Sequence, residues 1–170
     1  MLSLAEVNAL SIDAFVARFG DVAENSPWVA EAAAAMRPYR SRDAMVAAFA
    51  QAVRRAPRHM QVTLIRAHPD LAGRAAMAGE MAEDSRREQA GAGLDRLSPE
   101  EFERFTALNG LYRRTFGFPF ILAVKGATKE QILEAFETRV GNTPEVEFQT
   151  ALGQIGRIFR FRIEDRVLPG

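Results

Sequence analysis

Two histidines, His59 and His68, are the only imidazoles in the chain, and His68 stands where proton transfer is easily arranged. It is followed by Pro69 and Asp70, and a residue before proline is disfavoured in the α conformation. The spacing therefore puts His68 at a break between helices, where clefts form, and imidazole is the usual group for moving protons near neutral pH. The plainer reading is a histidine at a surface turn, or one that caps a carbonyl. A second candidate is Ser85-Arg86-Arg87-Glu88-Gln89. Serine with glutamate three residues on has the spacing of a capping box. The same helix N-terminus offers free N–H groups and partial positive charge, which favour an ionised Glu88 and can hold an anion. Ser85 and Gln89 add a hydroxyl and an amide able to read a ring that carries carbonyls and N–H groups.

Two further segments can bind rather than react. Phe116-Gly117-Phe118-Pro119-Phe120-Ile121 reads as a helix stop followed by an extended, apolar connection. Such a stretch beside a pocket leaves backbone N–H and C=O groups to bind an imide-like ligand. On that reading Phe120, Ile121, Leu122, Ala123 and Val124 act through backbone, so their side chains need not be polar. Arg162 continues the apolar stripe Phe148, Leu152, Ile155 and Phe159, whereas Arg157 and Arg160 fall away from it. It is either a snorkelling residue whose head reaches water or a fixed cation for a carboxylate or oxyanion. Asn109 poses the same question, lying among Phe102, Phe105, Tyr112 and Phe116 on one helical face. Unpaired polar groups are costly to bury, so each residue needs a partner or a pocket.

The elements that carry these residues are helices. Ser3 with Glu6, Ser85 with Glu88, Ser98 with Glu101 and Thr128 with Gln131 have capping-box spacing. Ser26-Pro27, Ser98-Pro99 and Thr143-Pro144 each set a proline just after a cap residue. Gly20, Gly117 and Gly141 stand where helices should stop. Helices are predicted over 3–19 with a break around Ser11, and over 27–36, 42–55, 58–67, 86–96, 99–115, 129–140 and 144–166. Phe118 to Val124 is extended, too little to make a sheet. Asp70 to Asp84, rich in alanine and glycine, reads as a surface connection. The expectation is an all-α, single-domain bundle of about eight helices over residues 1–170.

Composition narrows the function classes. The chain has 22 basic and 22 acidic residues, for a formal charge of zero, and so lacks the field that favours nucleic acid or anionic membrane. It has no cysteine, which excludes disulfides, thiolate metal sites and a thiol nucleophile. Two histidines make a multi-histidine metal centre a poor expectation. The first residues carry Glu6, Asp13 and Arg18 within their apolar pattern, unlike a signal peptide, and no later stretch suits a bilayer. The chain reads as cytoplasmic.

Taken in order, the motifs carry a resemblance. His68-Pro69-Asp70-Leu71-Ala72-Gly73, then Ser85 with Glu88-Gln89 and Ala92-Gly93-Leu94, then Asn109, Tyr112 and Phe116-Gly117-Phe118-Pro119-Phe120 are similar to the OHCU decarboxylase family. Asn25-Ser26-Pro27-Trp28-Val29 and Arg162-Ile163 resemble its flanking pattern, and the likeness runs from about Leu4 to Val167. It implies an all-α, commonly homodimeric enzyme acting on a small ureidoimidazoline carboxylate, with no cofactor and no metal. The products implied are (S)-allantoin and carbon dioxide, the last step from urate to allantoin. A C=N bond next to the departing carboxylate can take the electron pair, so the reaction needs only positioning and acid–base work. The resemblance implies His68 as the principal proton-transfer residue with Glu88 as its partner. It further implies a pocket of Pro69, Ser85, Gln89, residues 120–124 and Arg162. Arg157 and Arg160 lie close enough to leave the choice of arginine open. The final Val167-Leu168-Pro169-Gly170 lacks the peroxisomal tripeptide of some eukaryotic members, consistent with the cytoplasmic reading. The competing reading is a helical ligand-binding or dimerisation module, which would not need His68 and Glu88 near one pocket.

Overall fold

A computed structural model describes residues 1–73 and 81–170. Among these residues there are no strands. The helices are α1 (Leu4–Ala9), α2 (Ile12–Phe19), α3 (Trp28–Ala34), α4 (Arg42–Arg55) and α5 (Arg58–Ala67), followed by α6 (Glu83–Gly91), α7 (Pro99–Phe116), α8 (Lys129–Arg139) and α9 (Pro144–Glu164). The all-α expectation is met. Capping explains most of the boundaries. Both the Ser3–Glu6 and Thr128–Gln131 boxes form in full. Ser11 accepts from the Ala14 N–H and starts α2, which is the break predicted in the first helix.

The chain forms two compact units, Met1–Ala67 with Ile155–Gly170, and His68–Gln154. In the first, α2, α3 and α4 pack around aromatic rings. Phe15 lies 4.9 Å from Phe19 and 6.1 Å from Phe49, and Phe49 meets Phe159 edge-on at 5.9 Å. In the second, α7 and α8 bring Phe105, Tyr112 and Phe136 together, all fully buried. Residues 118–124 run without helix along this core, and the Phe120 ring stacks on Phe136 at 3.9 Å.

Three local expectations are corrected. Helix α3 begins at Trp28, with Pro27 rather than Ser26 in the capping position. The Ser26 hydroxyl turns back to donate to the Glu24 carbonyl at 2.8 Å, after a left-handed Asn25 with φ 46°. Helix α6 begins at Glu83, so Ser85 is its third residue and not its cap, and the predicted Ser85–Glu88 capping box does not exist. Glu83 and Asp84 in the first turn suit the helix dipole, while Ser85 is drawn inside the unit, 5% exposed. The same helix stops at Gly91 instead of running to 96. The Leu94 N–H reaches back to the Gln89 carbonyl, and the Gly93 N–H to that of Ala90. With Gly93 left-handed at φ 78° and Leu94 buried, this is a Schellman ending, a conformation only glycine adopts without strain.

The predicted surface connection from Asp70 to Asp84 divides. Leu71 and Ala72 are buried, so its start is not a surface segment; residues 74–80 lie outside the described residues.

Candidate active site

Helix α5 ends at Ala67, so His68 stands at a helix end as its following proline requires. Its ring is not at the surface: the residue is 6% exposed. The turn behind it is held by side chains from two helices. The Gln89 amide oxygen accepts from the Ala72 N–H at 2.9 Å, and its nitrogen donates to the Asp70 carbonyl at 3.2 Å. Asn109 of α7 donates to the Leu71 carbonyl at 2.8 Å. Arg113, one turn further along α7, pairs with the Asp70 carboxylate at 2.9 Å. These contacts fix Ala72 at φ 54°, a left-handed conformation unusual for alanine.

The arrangement joins motifs that are separate in the chain. Gln89 sits directly after Glu88 and four residues after Ser85, so these three side chains project from one side of α6. Ser85 and Gln89 are buried and Glu88 is half-buried. Asn109, which needed a partner, is a tie between α7 and the turn. A cavity of about 500 Å³ lies beside that tie, lined by Pro69, Asp70, Gly73, Phe102, Thr106, Asn109, Gly110 and Arg113. Of the predicted site residues only Pro69 lines it.

The extended segment is held by a second polar cluster. Arg139, at the end of α8, donates from Nη1 to the Ile121 carbonyl at 2.6 Å and from Nε to the Glu147 carboxylate at 2.8 Å. Glu147 is fully buried and also accepts from the Tyr112 hydroxyl at 2.6 Å and from Asn142 at 2.9 Å. Burial, and then the hydrogen bond to Glu147, push the Tyr112 phenol well above its ordinary range. The Arg139 guanidinium stands 4.3 Å over the Phe120 ring, and Gln154 accepts from the Ala123 N–H at 3.1 Å. Phe120, Ile121, Ala123 and Val124 are buried and Leu122 is half-buried.

Arg162 belongs to the other unit. It is 3% exposed and donates to the Glu24 carboxylate at 3.0 Å and to the Val22 carbonyl at 3.1 Å. Its head is therefore enclosed, and the snorkelling reading is wrong. Arg160 pairs at the surface with Asp43 and Glu164, and Arg157 is exposed beside the Phe161 ring. Of the apolar stripe, Phe148, Ile155 and Phe159 are buried while Leu152 is half-exposed.

Residues 8–164 match the family model for OHCU decarboxylase. The chain belongs to the OHCU decarboxylase family. The 2-oxo-4-hydroxy-4-carboxy-5-ureidoimidazoline decarboxylase of Haloferax volcanii is 45% identical over 165 residues, covering 97% of this chain and 96% of that one. The uric acid degradation bifunctional protein of Bacillus subtilis is 41% identical over 97% of this chain, which spans 33% of that larger protein. Among solved structures, an (S)-allantoin synthase superposes with a TM-score of 0.80 at 30% identity, over 99% of this chain and 54% of that one.

For this OHCU decarboxylase family member, sequence reasoning passed over Arg139, Glu147, Gln154 and the supporting part of Gln89. Arginine in a last turn and glutamate in a first turn are what the helix dipole favours anyway, so neither stood out. The available signal was a tyrosine on the apolar face of α7, because a buried phenol usually needs an acceptor.

Proposed function

We propose that this chain decarboxylates 2-oxo-4-hydroxy-4-carboxy-5-ureidoimidazoline to (S)-allantoin and carbon dioxide, with His68 as the principal proton-transfer residue. The observation that carries this reading is the Gln89 amide bridge, which ties the Ser85–Glu88–Gln89 face of α6 to the turn behind His68. A module that only bound a ligand would not need the two motifs joined.

The substrate's carboxylate and hydroxyl share one ring carbon. When the bond to the carboxylate breaks, its electron pair forms a C=C bond within the ring. The electrons of the adjacent C=N bond move onto nitrogen, which takes a proton. The hydroxyl then loses its proton as a carbonyl forms, and the ureido-bearing carbon is protonated on one face. The atoms balance without an oxidant, a reductant or water, and no cofactor is called for.

His68 and Glu88 manage the hydroxyl and carbon protons between them. Ser85 and Gln89 orient the ring and ureido group. Gln89 keeps one acceptor lone pair for a substrate N–H, because Ala72 uses only one of the two on its amide oxygen. Pro69 and the backbone of Phe120, Ile121, Leu122, Ala123 and Val124 complete the ring-binding contacts, and Arg162 receives a carboxylate or developing oxyanion. The protein works as a cytoplasmic homodimer. Among the described residues no helix is long and apolar enough to cross a membrane.

The test generates the unstable substrate in situ from urate and follows the circular dichroism of the product. The wild-type protein should give (S)-allantoin rapidly, and His68→Ala should lose about 10²–10⁴-fold in rate. Racemic allantoin at the spontaneous rate with wild-type protein would sink the assignment, and near-normal turnover by His68→Ala would remove His68 from its role.

A further inference from the structure

The extended segment 118–124 has a support of a kind that a simple connection does not need. All of it but Leu122 is buried, yet it joins no sheet. Among the described residues, the backbone of Phe120 to Val124 makes three hydrogen bonds. The Ile121 carbonyl accepts from Arg139, the Ala123 N–H donates to Gln154, and the Val124 carbonyl accepts from the Ala127 N–H. The Ile121 N–H and both backbone groups of Leu122 have no hydrogen bond to another described residue. More than nine in ten buried backbone groups are paired in folded proteins. The buried Ile121 N–H departs from that rule, and the N–H and C=O of half-buried Leu122 stand between two anchored groups, the Ile121 carbonyl and the Ala123 N–H, an arrangement that points to a ligand.

One of the two anchors, Arg139, is a charged group. The Arg139 guanidinium reaches Ile121 from a position set by Glu147, and Glu147 is itself set by Tyr112 of α7 and by Asn142. Each acceptor is oriented by a short bond to a group fixed on a helix, so the Ile121 peptide plane has little freedom to rotate. Rotating that plane would turn the N–H of Leu122, because the two groups share one peptide unit.

We propose that Arg139, with Glu147 and Tyr112, is a positioning residue for substrate binding: it sets the Ile121–Leu122 peptide so that its N–H meets a carbonyl of the imidazoline or ureido group. This rests on the reading that residues 120–124 contact substrate through backbone. Arg139 itself does not touch the reacting atoms. The arrangement affects ground state and transition state alike, so its loss raises KM and leaves kcat nearly alone.

The experiment uses the full chain with (S)-allantoin as binding probe in calorimetry, and the in situ substrate for kinetics. Arg139→Met should raise both the Kd for (S)-allantoin and KM by about 10-fold, with kcat changed less than about threefold. Arg139→Lys should recover part of that loss, because an ammonium can serve Ile121 or Glu147 but lacks the fork that serves both. Tyr112→Phe, which leaves the ion pair intact, should raise the same constants about two- to threefold. Should Arg139→Met fail to fold, the other two variants carry the test. Folded variants with lowered melting temperature but wild-type Kd and KM would show that the cluster only stabilises the fold, and would overturn the proposal. A wild-type protein that neither binds (S)-allantoin nor speeds its formation would overturn the functional reading itself, a result distinguishable from the first.

Discussion

Among the described residues, each of the two units buries an arginine–glutamate pair, and the pairs are built differently. In the unit of His68–Gln154, Glu147 is enclosed completely and its carboxylate accepts from three side chains, Arg139, Tyr112 and Asn142. In the other unit, Arg162 meets Glu24 at 3.0 Å and shares its donors with the Val22 carbonyl of a turn. Burying an ion pair costs desolvation that attraction alone repays poorly, so neither pair is explained by stability. The difference lies in what each arginine reaches besides its glutamate. Arg139 reaches the backbone of the segment proposed to bind substrate, whereas Arg162 reaches the carbonyl of a turn and is itself the cation proposed for the substrate.

The comparison is broken most decisively by removing a carboxylate. Leaving a buried guanidinium without its partner costs about 3–5 kcal/mol. Glu147→Ala should fall at the top of that range, because Tyr112 and Asn142 lose their acceptor as well, and Glu24→Ala should fall within it. Urea unfolding with an unchanged slope measures both. The double variant Arg139→Met with Glu147→Leu should be more stable than Glu147→Ala alone, since it strands no charge. If Glu24→Ala proves the more damaging single change, the ranking of the two pairs is wrong.

The same comparison explains what could be read from the sequence. Arg162 was visible because it interrupts an apolar stripe at helical spacing, where a cation must be accounted for. Arg139 and Glu147 were invisible because each occupies a helix end whose dipole favours its charge, so the ordinary explanation was sufficient. Helix positions were legible for a related reason. Serine and threonine caps act over three or four residues, and the starts of α7 and α8, after Ser98 and Thr128, were placed where they occur. The misplaced start of α6 shows the limit of local rules. Ser85 has perfect cap spacing, but tertiary burial takes it inside the helix, and no local signal competes with that. The contacts of Gln89 with Asp70 and Ala72 lie 19 and 17 residues away in sequence, beyond the reach of any spacing argument.

A smaller effect sharpens the contrast through the two tyrosines, one in each unit. Tyr112 donates to a carboxylate and Tyr39 to the Ala33 carbonyl. A hydrogen bond to a charged group contributes about 1.5–3 kcal/mol, and one to a neutral group about 1 kcal/mol. Tyr112→Phe should therefore destabilise more than Tyr39→Phe in matched urea melts. Equal losses would mean that the Glu147 carboxylate is satisfied without the phenol.

The smallest effect is one of pH, and it treats the two units alike. Burial raises the ionisation of Tyr39, against the opposing pull of nearby Arg37, and burial followed by the Glu147 hydrogen bond raises that of Tyr112. An unfolded tyrosine ionises near pH 10. A group whose ionisation is raised by folding contributes stability that is fully present below that value and is lost as the pH climbs through the raised one. The chain should accordingly keep its stability to about pH 10 and lose it progressively above. Phenolate absorbance near 295 nm should then rise only together with the loss of helical circular dichroism, since neither phenol can ionise in place. Because burial is the largest cause for both phenols, Tyr39→Phe and Tyr112→Phe should each weaken the coupled transition, and to a similar extent. Phenolate forming near pH 10 with the helices still folded would mean that both hydroxyls are open to water, and the buried cluster behind residues 120–124 would lose its central member.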